Sequence, residues 1–185
     1  MKSLNLIKSI NESTRVIRSL RKNSIEIEKA INLIFGTLKQ KKKIFICGNG
    51  GSASQAEHFS TEFLVRLNKN VNRNPYPIIP LALNNSHITA CSNDYSFRKI
   101  FSKTLKAIGE SGDCLITLTT SGKSKNIIDV LKLSKKMRIN SIGFFGKKIK
   151  NLADVKLFSD SDNTARIQET HLFLGHFILN EVENK

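Results

Sequence analysis

The sequence predicts an α/β protein in which one parallel β-sheet is covered by helices on both faces. Short apolar runs alternate along the chain with segments whose apolar residues recur at helical spacing. Turns rich in glycine or serine follow two of these runs directly, as they do in βαβ units. With 185 residues, of which 39% are hydrophobic, the chain can form a single domain with a sizeable core.

Each element follows from a local pattern. Residues 2–20 and 24–40 are expected to form two N-terminal helices, with Ser24 as a cap of the second. The predicted strands are Ile44–Cys47, Ile78–Leu83, Cys114–Leu118, Ser141–Phe145 and Val155–Phe158. The predicted later helices run from the glycines to about Leu67, then over Phe97–Ile108, Ser124–Met137 and Ala165–Val182. The segment around His87 is predicted to be a loop without a chemical role.

Composition narrows the class of partner. The net charge of +15 could attract nucleic acid, anionic membranes or phosphorylated metabolites. The lysines are scattered, however, so the charge alone disfavours a nucleic-acid role. No apolar run is long enough for a membrane span, and the N-terminus lacks the apolar core of a secretory signal, so a cytoplasmic location is expected. Cys47, Cys91 and Cys114 are expected to be reduced, buried thiols.

The first distinctive turn is Gly48-Asn-Gly-Gly-Ser52, between a strand and a helix. Glycines let the backbone approach a ligand closely, and a helix N-terminus favours an anion. The turn lacks the Lys-Ser/Thr ending of a Walker loop and the acidic residue of a dinucleotide site. A tight turn that binds nothing explains this stretch equally well.

The second distinctive turn is Thr119-Thr-Ser-Gly-Lys-Ser124, again between a strand and a helix. Its four hydroxyls and its helix N-terminus suit a phosphate monoester. Its alternative is an ordinary N-cap at Ser124. Two such turns in one small α/β domain favour a small phosphorylated ligand that spans both, because ligands bind beyond the carboxyl ends of parallel strands.

Four stretches resemble sugar isomerase (SIS) domains, and more narrowly the phosphoheptose isomerases. They are "CGNGGSASQAEHFSTEF", "NDYSF", "TTSGKS" and "ARIQETHLFLGH", and the resemblance covers nearly the whole chain. It implies one SIS domain over residues 1–185, a three-layer sandwich with a five-stranded parallel sheet. Residues 1–40 would be a helical pair for oligomerisation and residues 41–185 the α/β core. It also implies a homotetramer with active sites at subunit interfaces.

The resemblance also implies roles for individual residues. Glu62 and His176 would be the catalytic acid–base pair that converts sedoheptulose 7-phosphate to D-glycero-D-manno-heptose 7-phosphate. His58, Glu62, Gln168 and His176 would hold one Zn²⁺ per subunit. The residues expected to bind the phosphorylated seven-carbon sugar are Asn49, Gly50, Gly51, Ser52, Asp94, Thr119, Thr120, Ser121, Ser124 and Gln168.

The chemistry of these residues is compatible with the implied roles, but it does not by itself assign every role to one residue. Isomerisation through an enediol needs a base at carbon and an acid at oxygen. Glu62 follows His58 by four residues, so both project from one helix face, where a surface hydrogen bond is the simpler explanation. On the last helix, His171 and His176 lie about 140° apart, and spacing relative to Gln168 does not choose between them. The resemblance selects His176 and leaves His171 a structural residue.

Two histidines and a carboxylate form a plausible zinc site, with glutamine as a weaker ligand. Such an ion could be catalytic as a Lewis acid or purely structural. One departure from the family is Ala165, where an aspartate that contacts sugar hydroxyls is common. The alternatives are therefore an isomerase for a different phosphosugar and a non-catalytic SIS protein that binds the replication initiator. A sugar-phosphate sensor that regulates transcription would need an added DNA-binding domain.

Overall fold

The computed structural model of the protein describes residues 5–147 and 152–185. Five parallel strands form one sheet in the order β2-β1-β3-β4-β5, which confirms the predicted class. Every residue of β1 and β3 is buried, because helices cover both faces of a parallel sheet. The strands are β1 Ile44–Gly48, β2 Ile78–Pro80, β3 Cys114–Thr119, β4 Asn140–Phe145 and β5 Val155–Phe158.

Seven α-helices are found in the described part of the chain. They are α1 Leu6–Ser19, α2 Ser24–Lys39, α3 Gly51–Leu64, α4 Asn85–Asp94, α5 Ile100–Ile108, α6 Lys125–Lys136 and α7 Thr164–Glu183. Short 3-10 helices occupy Leu20–Asn23 and Phe97–Lys99. The helix predicted after the glycines ends at Leu64 rather than Leu67, and β2 ends at Pro80 rather than Leu83.

The two predicted N-terminal helices are joined without a break by the first 3-10 helix. The first three residues predicted for α1, residues 2–4, lie outside the described residues. The prediction of Ser24 as a cap is wrong, because Asn23 holds the N-cap position of α2 and Ser24 is already helical. The Asn23 amide instead donates to the carbonyl of Phe158, at 2.8 Å, and so fixes this turn to β5.

Helix α4 replaces the loop predicted around His87. Asn84 caps it, because its side-chain oxygen accepts a hydrogen bond from the backbone N–H of His87 at 2.8 Å. Cys91 is the one buried residue of this helix, so the apolar period that reveals a helix is missing. The His87 ring lies against α5, with Nε2 3.0 Å from Thr104 Oγ1.

The sheet divides the core into two clusters. One face packs against α2, α3 and α7, and the other against α4, α5 and α6. Cys47, Cys91 and Cys114 are buried free thiols, as expected from their number and spacing. Within the described ranges, no helix combines the length and the apolar character needed to cross a membrane.

The strand order creates a crevice between β1 and β3. These strands are neighbours, yet β1 leads into α3 on one face and β3 into α6 on the other. In open parallel sheets, ligands bind at such a switch point. Both distinctive turns of the sequence follow these two strands, so the fold brings them to one edge of the sheet.

Candidate active site

The glycine turn after β1 lets other groups come close to the start of α3. Gly50, the N-cap residue, has φ +56° and ψ −127°, a conformation that requires glycine. A Cβ on Gly51 would lie 2.5 Å from the Gln168 amide nitrogen, so Gln168 packs directly against the turn. Ser52 is buried beneath it. The first backbone N–H groups of α3 therefore face the crevice with the polar end of Gln168 beside them.

The hydroxyl turn after β3 leaves the N-terminus of α6 open. Ser124 holds the N-cap position, as in the alternative explanation of this turn, but its side chain makes no capping hydrogen bond. Buried Thr119 accepts a hydrogen bond from the N–H of Gly122 at 3.1 Å, and Ser121 accepts one from Lys123 at 3.2 Å. These two hydroxyls shape the turn, while the helix N-terminus keeps donors free for an anion.

Two asparagines join the two turns. The Asn49 amide donates to Asn126 Oδ1 at 3.0 Å, and the Asn126 amide donates to Asn49 Oδ1 at 2.8 Å. Asn126 is buried in the first turn of α6. This reciprocal pair fixes the distance between the glycine turn and the hydroxyl turn. The sequence interpretation included Asn49 but missed Asn126, whose signal is its position two residues after the Ser-Gly-Lys-Ser turn, in the first turn of the helix.

A cavity of about 270 Å³ lies beside the hydroxyl turn. The ammonium group of Lys147, at the end of β4, pairs with the carboxylate of Asp162, and both residues line this cavity with Lys123. The remaining lining residues are Thr120, Ser121, Ser161, Thr164 and Ile167. Because Asp162 offsets Lys147, the lining keeps one net positive charge, that of Lys123, which suits a phosphate group. Sequence reasoning gave no role to either lysine.

The histidine and carboxylate predicted on α3, His58 and Glu62, meet a histidine of α7. Glu62 Oε1 lies 3.3 Å from Nε2 of both His58 and His176, and the two Nε2 atoms are 3.0 Å apart. One ligand atom from each residue lies within 4.8 Å of the others. The second carboxylate oxygen, Oε2, is buried and has no hydrogen-bond partner among the described residues. A donor set of two imidazoles and a carboxylate is one that a divalent metal ion fits.

Helices α3 and α7 lie side by side and in register. Gly51 lies beside Gln168, Phe59 beside Gly175 and His58 beside His176. A Cβ on Gly175 would come within 2.1 Å of the Phe59 ring, so the helices approach closely here. Gln168 therefore lies with the glycine turn, whereas the carboxylate lies with the histidine pair. Gln168, which was predicted as a zinc ligand together with His176, is eight residues from it, or about 12 Å along the helix.

The two turns and the His58–Glu62–His176 cluster are thus separated within one chain. Glu62 is eleven residues beyond Gly51, about 16 Å along the axis of α3. The histidine side chains are 47% and 37% exposed for His58 and His176, so the cluster opens at the surface of the chain. A ligand held at the two turns would need a second acid–base cluster closer to it.

His171 behaves as a structural residue. It is fully buried, with Nε2 3.2 Å from the carbonyl oxygen of Phe145 and its ring packed edge-on against Phe144. Burial lowers the pKa of His171 to about 4, against a weaker opposite effect of the Phe145 carbonyl. The ring is therefore neutral at physiological pH and points into the sheet, away from α3.

The other two residues singled out in the sequence are exposed. Asp94 ends α4, and its carboxylate accepts a hydrogen bond from the Asn93 amide at 2.9 Å. Ala165 lies in the first turn of α7, where its N–H donates to the side chain of Asn163 at 3.0 Å. Ala165 adjoins Thr164, which lines the cavity beside the hydroxyl turn. The contacts of Asp94 do not link it to either turn.

The parallel sheet with two ligand-type turns at its switch point defines the SIS class of sugar-phosphate-binding folds. Residues 8–146 match the SIS domain family. The chain is 41% identical to the phosphoheptose isomerase of Campylobacter concisus over 160 residues, which cover 85% of this chain and 84% of that protein.

Two solved structures have the same architecture. Phosphoheptose isomerase GmhA from Neisseria gonorrhoeae matches with a TM-score of 0.87 and 30% identity, over 98% of both chains. A phosphoheptose isomerase from Francisella tularensis matches with a TM-score of 0.88 and 32% identity, over 100% of both chains. The chain therefore belongs to the phosphoheptose isomerase family of SIS-domain proteins.

Proposed function

We propose that this protein is an aldose–ketose isomerase that converts sedoheptulose 7-phosphate to D-glycero-D-manno-heptose 7-phosphate. The observation that carries the proposal is the position of the Glu62 carboxylate between two imidazole Nε2 atoms, each 3.3 Å away. The family supports it, since relatives at about 40% identity bear the name phosphoheptose isomerase. The reaction would supply the first intermediate of an ADP- or GDP-activated heptose, used for example in lipopolysaccharide.

The chemistry requires a proton to move between two adjacent carbons. Glu62 would take the proton from C1 of the ketose, which leaves an enediol, and would return a proton to C2. His176 would pass protons between the two enediol oxygens. A carboxylate oxygen without a hydrogen-bond donor, such as Glu62 Oε2, is free to accept the carbon-bound proton. General acid–base groups of this kind contribute about 10²–10⁴-fold to a rate.

Substrate recognition is assigned to the two turns. Thr119, Thr120, Ser121 and Ser124 would surround the phosphate at the N-terminus of α6. Asn49, Gly50, Gly51 and Ser52 would line the sugar, with Gln168 against the glycines and Asp94 nearby. Because Thr119 and Ser121 already accept hydrogen bonds from backbone N–H groups, their hydroxyl hydrogens remain available to donate to phosphate oxygens.

A zinc ion is part of the proposal. His58, Glu62 and His176 would hold it, and the proposal is supported by one ligand atom from each residue lying within 4.8 Å of the others. Gln168 would be the fourth ligand, and because it lies beside Gly51 it is the one farthest from the other three. When bound, zinc would polarise the substrate oxygens as a Lewis acid. Elemental analysis of protein purified without chelator or metal tag should find about one equivalent per chain, and His58→Ala with His176→Ala should abolish it.

The active site is proposed to be shared between subunits of a homotetramer. Glu62 is too far along α3 to reach a ligand at the turns of its own chain, as argued above. Exposed apolar side chains on the N-terminal helices and on α7 support an interface there: Leu6, Ile7, Ile10, Ile25, Phe173 and Phe177. Residues 1–40 would then serve assembly and residues 41–185 catalysis.

The activity is tested with sedoheptulose 7-phosphate in deuterated water, followed by proton NMR. Formation of an aldoheptose 7-phosphate is expected, and it should be lost in Glu62→Gln but kept in Glu57→Gln, an exposed glutamate on the same helix. No turnover by folded, tetrameric, zinc-supplemented wild-type protein would contradict the proposal. Turnover of another ketose phosphate instead would favour the alternative of a different phosphosugar.

Shared sites are tested by subunit mixing. Thr120→Val and Glu62→Gln are each expected to be inactive alone, one for lack of a phosphate contact and the other for lack of the base. If each site combines the turns of one subunit with the Glu62 of another, refolded mixtures should regain activity. Mixtures that stay inactive, although an affinity tag on one variant co-purifies the other, would place the whole site in one chain.

A non-catalytic role in binding the replication initiator is the remaining alternative. The complete His58–Glu62–His176 cluster argues against it, because a purely binding protein has no use for this acid–base set. A cytoplasmic location is part of the proposal and is supported by the three free, buried thiols, which suit a reducing compartment.

A further inference from the structure

The face of the molecule opposite the acid–base cluster carries a strongly basic cleft between α5 and α6. Its volume is about 360 Å³, and six of its nine lining residues are cationic. The cationic residues are Arg98, Lys99, Lys103, Lys106, Lys132 and Lys136. Ser102, Leu133 and Asp129 complete the lining. We name this surface the α5/α6 cleft.

The single carboxylate of the cleft is already neutralised. Asp129 accepts two hydrogen bonds from Arg98, at 2.6 and 2.7 Å, and lies 3.4 Å from the ammonium group of Lys99. The hydrogen bond from Arg98 lowers the pKa of Asp129, so this carboxylate stays ionised and engaged. It therefore offers no counter-charge to the lysines deeper along the cleft.

Four lysines of the cleft have no carboxylate within 4 Å in the described parts of the chain: Lys103, Lys106, Lys132 and Lys136. Lys103 lies over the Tyr95 ring, with its ammonium group 3.3 Å from the ring centre. All four lysines are exposed, so the other three are surrounded by solvent.

Helix geometry aligns these charges into two facing rows. Lys103 and Lys106 are three residues apart on α5, and Lys132 and Lys136 are four apart on α6, so each pair lies on one helix face. Lys99, the N-cap residue of α5 and the last of the second 3-10 helix, extends the first row. The two helices pack against each other, which sets the rows along one groove. Like charges at these spacings repel, and an anion in the groove would relieve that repulsion.

The lining indicates the chemistry of the anion. Among the described residues, no aromatic side chain lines the cleft, and the ammonium group of Lys103 lies over the nearby Tyr95 ring, where a nucleotide base would otherwise stack. The volume of the cleft is near the lower end for small-ligand sites. Lysine ammonium groups act as flexible point charges and do not read a planar shape. The row from Lys99, the N-cap residue of α5, to Lys106 is about 10 Å long, more than a single phosphate needs.

We infer that the α5/α6 cleft binds a compact anion that carries several phosphate groups, such as a short oligophosphate. This site is separate from the hydroxyl turn, because the cleft shares no lining residue with the cavity beside that turn. The inference goes beyond the proposed isomerase activity and does not depend on it.

The test is isothermal titration of the purified oligomer with sodium tripolyphosphate at physiological salt. Tripolyphosphate should bind at least tenfold more tightly than inorganic phosphate. Lys103→Glu and Lys132→Glu should each weaken it by tenfold or more, whereas Lys135→Glu should change it less than twofold. Lys135 is the matched control, since it is an exposed lysine on α6 that does not line the cleft.

Three results would overturn the inference. Equal weakening by Lys132→Glu and Lys135→Glu would mean that only the net charge attracts the anion. Loss of binding in Thr120→Val, with the cleft variants unaffected, would locate the anion at the hydroxyl turn. Tighter binding of a single-stranded oligonucleotide than of tripolyphosphate, with the same dependence on Lys132, would assign the cleft to nucleic acid.

Discussion

The guanidinium group of Arg73 and the carboxylate of Glu183 form a buried ion pair that ties the end of α3 to the end of α7. Their Nη2 and Oε1 atoms are 2.7 Å apart, and the side chains are 8% and 0% exposed. Arg73 also donates to the backbone carbonyls of Glu62 and Phe63, at 2.9 and 2.8 Å. The pair therefore holds the turn of α3 that carries the proposed catalytic carboxylate.

Glu183→Gln is expected to lower both stability and turnover. Breaking a buried ion pair by removing one charge costs about 3–5 kcal/mol, because the other charge is left without its partner. Urea unfolding measures the stability, and the kcat of the isomerase reports the position of Glu62. Glu181→Gln on the same helix is the control and should change neither. A kcat that equals that of wild type in folded Glu183→Gln protein would mean that the pair only stabilises the fold.

Because the pKa of Glu183 is lowered in the fold, we expect the protein to lose stability in acid. Burial acts to raise the pKa of Glu183, but hydrogen bonds from the N–H groups of Leu67 and Asn68 and from Arg73 outweigh it, and the net pKa is lowered. A carboxyl whose pKa is lower in the folded state stabilises the fold above its unfolded pKa, about 4.3. That contribution is lost as the pH falls below this value. Unfolding of Glu183→Gln should therefore depend less on pH between about 4.5 and 3.

Because the pKa of buried His171 is also lowered, we expect a separate loss of stability at milder acidity. Its pKa is about 4 in the fold, against 6.5 for the free side chain. The unfolded chain binds the proton more readily, so stability falls as the pH decreases from 6.5 towards 4, by about 3 kcal/mol in total. Urea unfolding at pH 7.5 and 4.5 should show this loss in wild type. His171→Gln, which can still donate to the Phe145 carbonyl, should show a smaller one; an equal loss would assign the effect to other groups.

Asn126→Ala tests the link between the two turns. The change removes both hydrogen bonds to Asn49, which would cost about 1–3 kcal/mol and let the turns move apart. The KM for the phosphosugar is expected to rise more than the kcat falls, since the turns bind but do not react. Initial rates over a range of substrate concentration measure both. Asn140→Ala, at an exposed position at the start of β4, is the control; an unchanged KM in Asn126→Ala would show that the turns are held by other contacts.

Ala165→Asp tests the departure from the family pattern. The position is exposed in the first turn of α7, where a carboxylate is favourable to the helix, so the protein should fold normally. If the position faces sugar hydroxyls, kcat/KM for sedoheptulose 7-phosphate should rise by about tenfold through a charged hydrogen bond. Ala165→Asn matches the size without the charge and should give a smaller gain. No change in either variant would separate this residue from substrate recognition.

Local patterns determined most of the fold. Five apolar runs located all five strands, since the buried strands of a parallel sheet are largely apolar. β5 was predicted to the residue although it contains Lys156 and alternates in burial at the edge of the sheet. Helix α4 was missed because it buries almost nothing and therefore has no apolar period. Its signal was a capping asparagine, Asn84, which also occurs in ordinary turns.

The candidate site could likewise be predicted only in part from the sequence. The two turns could be recognised from sequence, because glycines and hydroxyls between a strand and a helix are a local pattern with a local reason. The partners of those turns were decided by packing. His58 and Glu62 share a helix face by spacing alone, but spacing did not choose between His171 and His176. The tertiary structure turns His171 into the sheet and His176 towards α3, because the close approach of Phe59 and Gly175 sets how α7 is rotated against its neighbour. A sequence determines which side chains a helix presents on one face, whereas the face that meets another helix depends on the packing of the whole core.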